Sequence, residues 1–178
     1  MDEEETVTSG IGIDATSFMG NTELFIGKLR RYCDGATAEE MAWTPTGVRN
    51  SLGWIVRHCA GLLWLSYGYA SGQPIPSGVQ GSGIAGSALH GVTFDGAEGV
   101  VPKSAEACIA DLETAWQALR GVLLEGATAL EPRTANAAFD NVWAALRHTL
   151  DDVCYHTGQA SVLRKLLAVR RRRKRTAG

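Results

Sequence analysis

The sequence predicts an all-α protein folded as a four-helix bundle. Four segments carry apolar residues at the three- and four-residue intervals of an amphipathic helix. No segment shows the apolar–polar alternation of a half-exposed β-strand. A long connection with many glycines, between residues 72 and 99, separates the second segment from the third. Four helices with one long crossing between the second and the third are most economically packed as a bundle.

The first two predicted helices flank a short capped turn. The first runs from about Asp14 to Tyr32, and Gly35 follows where a helix would end. The segment Thr37-Ala-Glu-Glu40 has the pattern of a capping box, which predicts a brief helical turn. The second helix begins at Asn50 or Ser51 and continues to about residue 71. Because it is apolar on nearly all faces, we expect it to be buried on more than one side.

The third and fourth predicted helices complete the bundle. The third extends from Ser104 to Gly126 and is amphipathic. The fourth begins near Asp140, and its inward-facing positions follow an unbroken alternation of four and three. These positions are Val142, Leu146, Thr149, Val153, His156, Ala160, Leu163 and Leu167. The last helix therefore places a histidine directly in the predicted core.

The chain length of 178 residues fits one domain. We expect a flexible acidic N-terminus at residues 1–12, the bundle at 13–168 and a basic tail at 169–178. Residues 1–163 carry nine basic against nineteen acidic groups, which argues against nucleic-acid binding by the body. The basic run is expected to be a solvated helix end, with a nucleic-acid or membrane tether as the alternative. Deleting residues 170–178 is accordingly expected to leave folding largely unchanged.

The composition indicates a cytoplasmic protein outside the membrane. Apolar residues make up 45% and charged residues 20%, as in ordinary globular proteins. No apolar run reaches the roughly 18 residues of a membrane-spanning helix, and no basic-then-apolar leader is present. The four cysteines form no C-x-x-C pair, so reduced thiols are expected. Cys59 and Cys154 are expected to be small core residues rather than nucleophiles.

Three side chains are candidates for a metal site. Asp152 and His156 lie one turn apart on the same side of the last helix, and His58 lies in the most apolar segment of the chain. A buried carboxylate needs a partner, and facing helices of a bundle can supply metal ligands. In the alternative interpretation, His58 is a hydrogen-bonded core histidine and Asp152 pairs with Arg147 or His148. His148, one turn before Asp152, is also the obvious substitute ligand.

Three segments resemble the DinB-like superfamily, which includes mycothiol-dependent maleylpyruvate isomerases and other bacterial thiol-dependent transferases. They are Trp43-Thr-Pro45, Asn50-Ser-Leu-Gly-Trp-Ile-Val-Arg-His58 and Asp152-Val-Cys-Tyr-His156-Thr-Gly-Gln159. The resemblance spans about residues 13–168 and implies a divalent ion, zinc or nickel, held by His58, Asp152 and His156. The family more often has His or Glu at the position of Asp152, and many relatives are acidic at that of Leu63.

The resemblance implies a metal-dependent transferase or isomerase that acts on a small molecule and uses mycothiol or a similar thiol as co-substrate. His148 and Tyr155 are the residues expected to orient the substrate. A second hypothesis is a repurposed bundle enzyme of natural-product biosynthesis that catalyses cyclisation or rearrangement. A third is a non-catalytic binding or stress protein that forms a homodimer through its helix faces.

Overall fold

A computed structural model describes residues 14–76, 81–82, 94–95, 103–125 and 141–176. The expected acidic N-terminus at 1–12 and most of the glycine-rich connection lie outside these residues. No helix in the described ranges is both long and apolar enough to cross a membrane.

Four long helices confirm the predicted all-α bundle. They are α1 (Ala15–Cys33), α3 (Leu52–Ser71), α4 (Ala105–Glu125) and α5 (Val142–Thr176), and a short helix, α2 (Ala38–Ala42), follows α1. Two strands of two residues each, β1 (Gly81–Ser82) and β2 (Phe94–Asp95), pair in parallel. The sequence did not predict these strands, because two residues are too few to show an alternating pattern.

Local capping chemistry sets the helix bounds. The hydroxyl of Ser51 accepts the Trp54 amide at the start of α3, which decides between the two predicted caps. Thr37 and Glu40 form the predicted capping box at α2. Gly35, just beyond α1, has a φ of 61°, a left-handed conformation that favours glycine. These elements end and begin where the sequence indicated.

Helices α3 and α5 run antiparallel, and so do α1 and α4. The hydroxyl oxygens of Ser66 on α3 and Thr149 on α5 are 2.8 Å apart. At the other end of the pair, Asn50, just before α3, donates a hydrogen bond to Gln159 on α5 at 3.2 Å. Residue numbers therefore rise along α3 as they fall along α5. In the same way Arg30 pairs with Glu113 while Arg120 pairs with Glu23.

Two other pairs of helices, α1 with α5 and α3 with α4, are parallel, which explains the long connection. Arg164 in the C-terminal half of α5 donates to the carbonyl oxygen of Asp34, the residue that ends α1, at 2.8 Å. Because α1 packs along α5, these two helices run in the same direction, and α3 and α4 both run opposite to them. The chain must consequently return along the bundle between α3 and α4, over a helix length of about 30 Å. The strand β1 lies against α3 on this return.

The basic run at the end of the chain is helical and partly packed. Helix α5 continues without a break past the expected boundary at 168/169, to Thr176. Arg170 bonds to Glu39 at 2.8 Å and lies 5.1 Å from the Trp43 ring centroid. Arg171 donates to the Glu40 carboxylate at 2.6 Å and to the carbonyl oxygen of Gly35. The expectation of a fully solvated tail does not hold for these two arginines, because acidic side chains of α2 lie within their reach.

The bond to Arg171 lowers the pKa of Glu40 to about 2, which generates a stability prediction. Since this folded-state pKa lies below the unfolded value, the stabilisation is complete above about pH 4.5 and is lost as the pH falls towards 2. Arg171→Ala should lower the free energy of unfolding by about 1 kcal/mol at pH 7. Chemical denaturation at several pH values measures the difference, which should shrink below pH 4.5.

Arg172→Ala is the matched control, because its side chain is exposed and no ion pair to it occurs within the described residues. The variant should unfold like the unmodified protein. A loss of stability for Arg171→Ala that stays constant down to pH 2 would show that the Glu40 carboxylate is not its origin.

Candidate metal centre

Two histidine rings meet at the interface between α3 and α5. His58 on α3 and His156 on α5 have ring centroids 4.6 Å apart, with their planes 76° from each other. Both are over nine-tenths buried, with exposed fractions of 6% and 7%. Burying a polar ring costs free energy unless its nitrogens find partners. The structure thus brings together two of the three predicted metal ligands.

Trp54 covers this histidine pair. It lies one helical turn before His58, and its ring stacks on the imidazole at 4.7 Å with only 10° between planes. The same indole approaches His156 edge-on at 5.5 Å. The tryptophan therefore forms an apolar wall against both rings and fixes their orientation.

A polar pair selects the tautomer of the neutral His156 ring. Its Nδ1 lies 3.0 Å from Oε1 of Gln159, which also accepts a hydrogen bond from Nδ2 of Asn50 at 3.2 Å. An amide oxygen can only accept, so Nδ1 carries the proton and the lone pair of the neutral ring lies on Nε2. Metal-binding histidines commonly donate their other ring N–H in this way.

The third predicted ligand lies beside the pair but engages another residue. Asp152 is about one-third exposed, and its carboxylate lies 3.4 Å from Nε2 of His148, one turn earlier on α5. Pairing with His148 was one of the predicted alternatives. After burial, the negative charge of this carboxylate is the second cause that raises the pKa of the Cys59 thiol on α3.

Within the described residues, no three His, Cys, Asp or Glu side chains are grouped closely enough to hold a metal ion as placed. His58 and His156 are in contact, whereas Asp152 is directed to His148. The donor set nevertheless suits zinc or nickel, for which imidazole nitrogens and a carboxylate are usual ligands. The three-ligand site accordingly stays a prediction.

The two residues expected to orient a substrate both lie on α5, and of these Tyr155 contacts the histidine pair. Tyr155 is 62% exposed, with its ring 5.1 Å from His156, and His148 is half exposed. Sequence analysis gave Asn50 only as a candidate helix cap, and placed Asn50 and Gln159 in the family-like segments without predicting their hydrogen bonds beside His156. The three-residue spacing between His156 and Gln159 could have predicted their hydrogen bond. The bond from Asn50 joins residues far apart in the chain, so no local pattern indicated it.

The buried thiols stay protonated at neutral pH. Burial raises the pKa of Cys33 to about 12 and that of Cys108 to about 11, and it raises the pKa of Cys59 as well. Cys59 is a core residue, as expected. The same expectation was wrong for Cys154, which is exposed because it lies on the outer side of α5.

The bond between Gln159 and His156 generates a prediction about the imidazole. Gln159→Leu keeps the side-chain size but removes the acceptor, so Nδ1 should no longer be the preferred protonated nitrogen. Nitrogen-15 NMR of the histidine rings should show mainly Nδ1–H in the unmodified protein and a mixture of tautomers in the variant. The free energy of unfolding should fall by about 1 kcal/mol.

Asn50→Ala is the matched control for the tautomer, since it removes the neighbouring bond but leaves the acceptor of His156 in place. It should preserve the Nδ1–H form. An unchanged tautomer in Gln159→Leu would show that this amide does not select it.

Comparison with known proteins places the chain in a family. The profile of the DinB superfamily matches residues 22–160, which include most of α1, all of α2, α3 and α4, and α5 as far as Ala160. The matched region contains all three predicted ligands. No curated protein matches the chain. Because the profile covers most of the sequence, the chain belongs to the DinB superfamily.

Proposed function

We propose that this chain is a metal-dependent enzyme whose divalent ion is held by His58, His156 and Asp152. The observation that carries the proposal is the contact between two buried imidazoles on facing helices, at ring centroids 4.6 Å apart. Imidazoles brought together from facing helices can serve as ligands of one cation.

The surroundings of His156 support its role as a ligand. The hydrogen bond to Gln159 leaves the Nε2 lone pair available, and Trp54 limits how far the ring can turn. Such supporting bonds raise the basicity of a ligating imidazole and fix its direction. The residues around the pair therefore prepare a ligand before any ion arrives.

Asp152 is the proposed third ligand. Its bond to His148 is long, at 3.4 Å, and half-exposed ion pairs of this kind contribute little free energy. A divalent ion carries more charge than the His148 imidazole and would therefore attract the Asp152 carboxylate more strongly. His148 is the alternative donor, because it already lies beside Asp152 on the same side of α5.

The proposed reaction class is thiol-dependent transfer or isomerisation, with a thiol of the mycothiol type as co-substrate. A divalent ion supplies charge that lowers the pKa of a coordinated thiol or water. The protonated thiols of Cys33 and Cys108 are poor nucleophiles. The proposed reaction therefore uses the thiol of a co-substrate rather than either of these side chains. Tyr155 and His148, at the exposed edge, would orient the small-molecule substrate.

Elemental analysis of protein purified without chelators tests the metal. We expect about one equivalent of zinc or nickel per chain, and its loss in His58→Ala or His156→Ala with far-UV circular dichroism nearly unchanged. His148→Ala is the matched control and should keep the ion. Less than about a tenth of an equivalent, with no uptake of added zinc or nickel, would contradict the proposal.

Three variants of Asp152 test the third ligand. Asp152→Asn should weaken metal binding because it removes a charge, Asp152→Glu should retain much of it, and Asp152→Ala should be the weakest because only two protein ligands remain. Calorimetric titration with zinc measures the affinities, and titration with a small thiol measures its binding to the loaded protein. Equal metal affinity in all three variants would remove Asp152 from the site and favour His148.

A further inference from the structure

Helix α5 carries a stripe of exposed apolar side chains on the side that faces away from the bundle. Tyr155, Val162, Leu166 and Val169 are 62%, 56%, 38% and 37% exposed, and their spacings of seven, four and three place them on one helix face. Other large apolar side chains exposed in the described residues, such as Leu24 on α1 and Leu124 on α4, do not extend this row. A contiguous exposed apolar stripe on a helix marks an interaction surface.

We propose that this α5 stripe binds the same stripe of a second copy of the chain, with the two α5 helices antiparallel about a twofold axis at Val162. In such a pair, residues at equal distances from Val162 face each other. Gly158 and Leu166 are each four residues away, and Tyr155 and Val169 are each seven residues away. Each apolar side chain of the stripe then faces either another apolar side chain or a glycine of the second copy, so the surface is complementary to itself.

The shape of the surface agrees with this register. A Cβ added at Gly158 would meet nothing within 4 Å, so there is open space above the backbone. The side chain of Leu166 from the other copy would fill that space, as a knob enters a hole between packed helices. A glycine between two bulky positions, Tyr155 and Val162, therefore has a use in the pair that it lacks in the single chain.

The charges favour the antiparallel direction and a second copy over an unrelated partner. Asp151 and Arg173 are both exposed, lie near the line of the stripe and are each eleven residues from Val162. The antiparallel register brings each aspartate to an arginine of the other copy, whereas a parallel pair would bring like charges together. Apolar and charged positions thus match about the same residue.

The interface would reach the edge of the histidine pair. Tyr155, whose ring is 5.1 Å from His156, would lie against Val169 of the other copy. Pairing would therefore hold the tyrosine ring beside His156. This inference does not depend on the metal, because the stripe and its charges exist in the chain alone.

Sedimentation of the full chain tests the pairing. We expect a reversible dimer at micromolar concentrations, with its dissociation constant raised at least about tenfold by Val162→Glu, because the twofold axis places the two new carboxylates against each other. Leu24→Glu is the matched control, because Leu24 on α1 is an apolar side chain of similar exposure, and it should leave the dimer unchanged. A protein that stays monomeric up to about 100 µM, or a dimer unaffected by Val162→Glu, would overturn the proposal.

Charge exchange tests the register. Asp151→Arg and Arg173→Asp should each weaken the dimer, and the double variant should recover most of the affinity, because opposite charges face each other again. In a Cys154→Ser background, a short bismaleimide should link Val162→Cys to itself efficiently and Leu24→Cys hardly at all. Failure of the double variant to recover, together with equal cross-linking at both positions, would exclude this interface.

Discussion

The bundle depends on the burial of α3. This helix is buried on almost every side, so α4, α5 and the strand β1 must all pack against it. Covering a helix on all faces removes a large apolar area from water, the dominant favourable contribution to folding. It also dictates the topology, because α4 packs parallel to α3. The chain therefore has to return along the bundle after α3 before α4 can begin. The long connection is thus a geometric consequence of the core.

Burial of α3 makes each of its polar side chains costly, and α5 supplies several of the partners. Thr149 meets Ser66, and His156 meets His58. Arg57, with 4% of its surface exposed, donates no hydrogen bond from its Nε–H within the described residues. A polar group that survives in so apolar a helix has either a structural partner or a chemical role. For the two histidines, we propose a role as metal ligands.

Helix α5 has three sides with separate roles. Its inner side fills the core with Leu163 and Leu167, and its α3-facing edge carries the polar groups around His156. Its outer side bears the apolar stripe, and its basic end holds α2 through Arg171. A single helix of 35 residues can do this because its faces repeat along more than nine turns. Changes in the stripe should therefore affect the core little.

The sequence by itself determined the helices and which residues share a helix face. Caps at Ser51 and Thr37 and the left-handed Gly35 act within a few residues, and Asp152 and His156 lie one turn apart whatever the tertiary fold. Only the tertiary structure decided that His58 contacts His156. It also decided that Asn50 supports Gln159 and that the basic end holds α2. Local hydrogen bonds and helical periodicity depend on residues that are close in the sequence. Side-chain contacts between helices depend on the relative position of elements far apart in the chain.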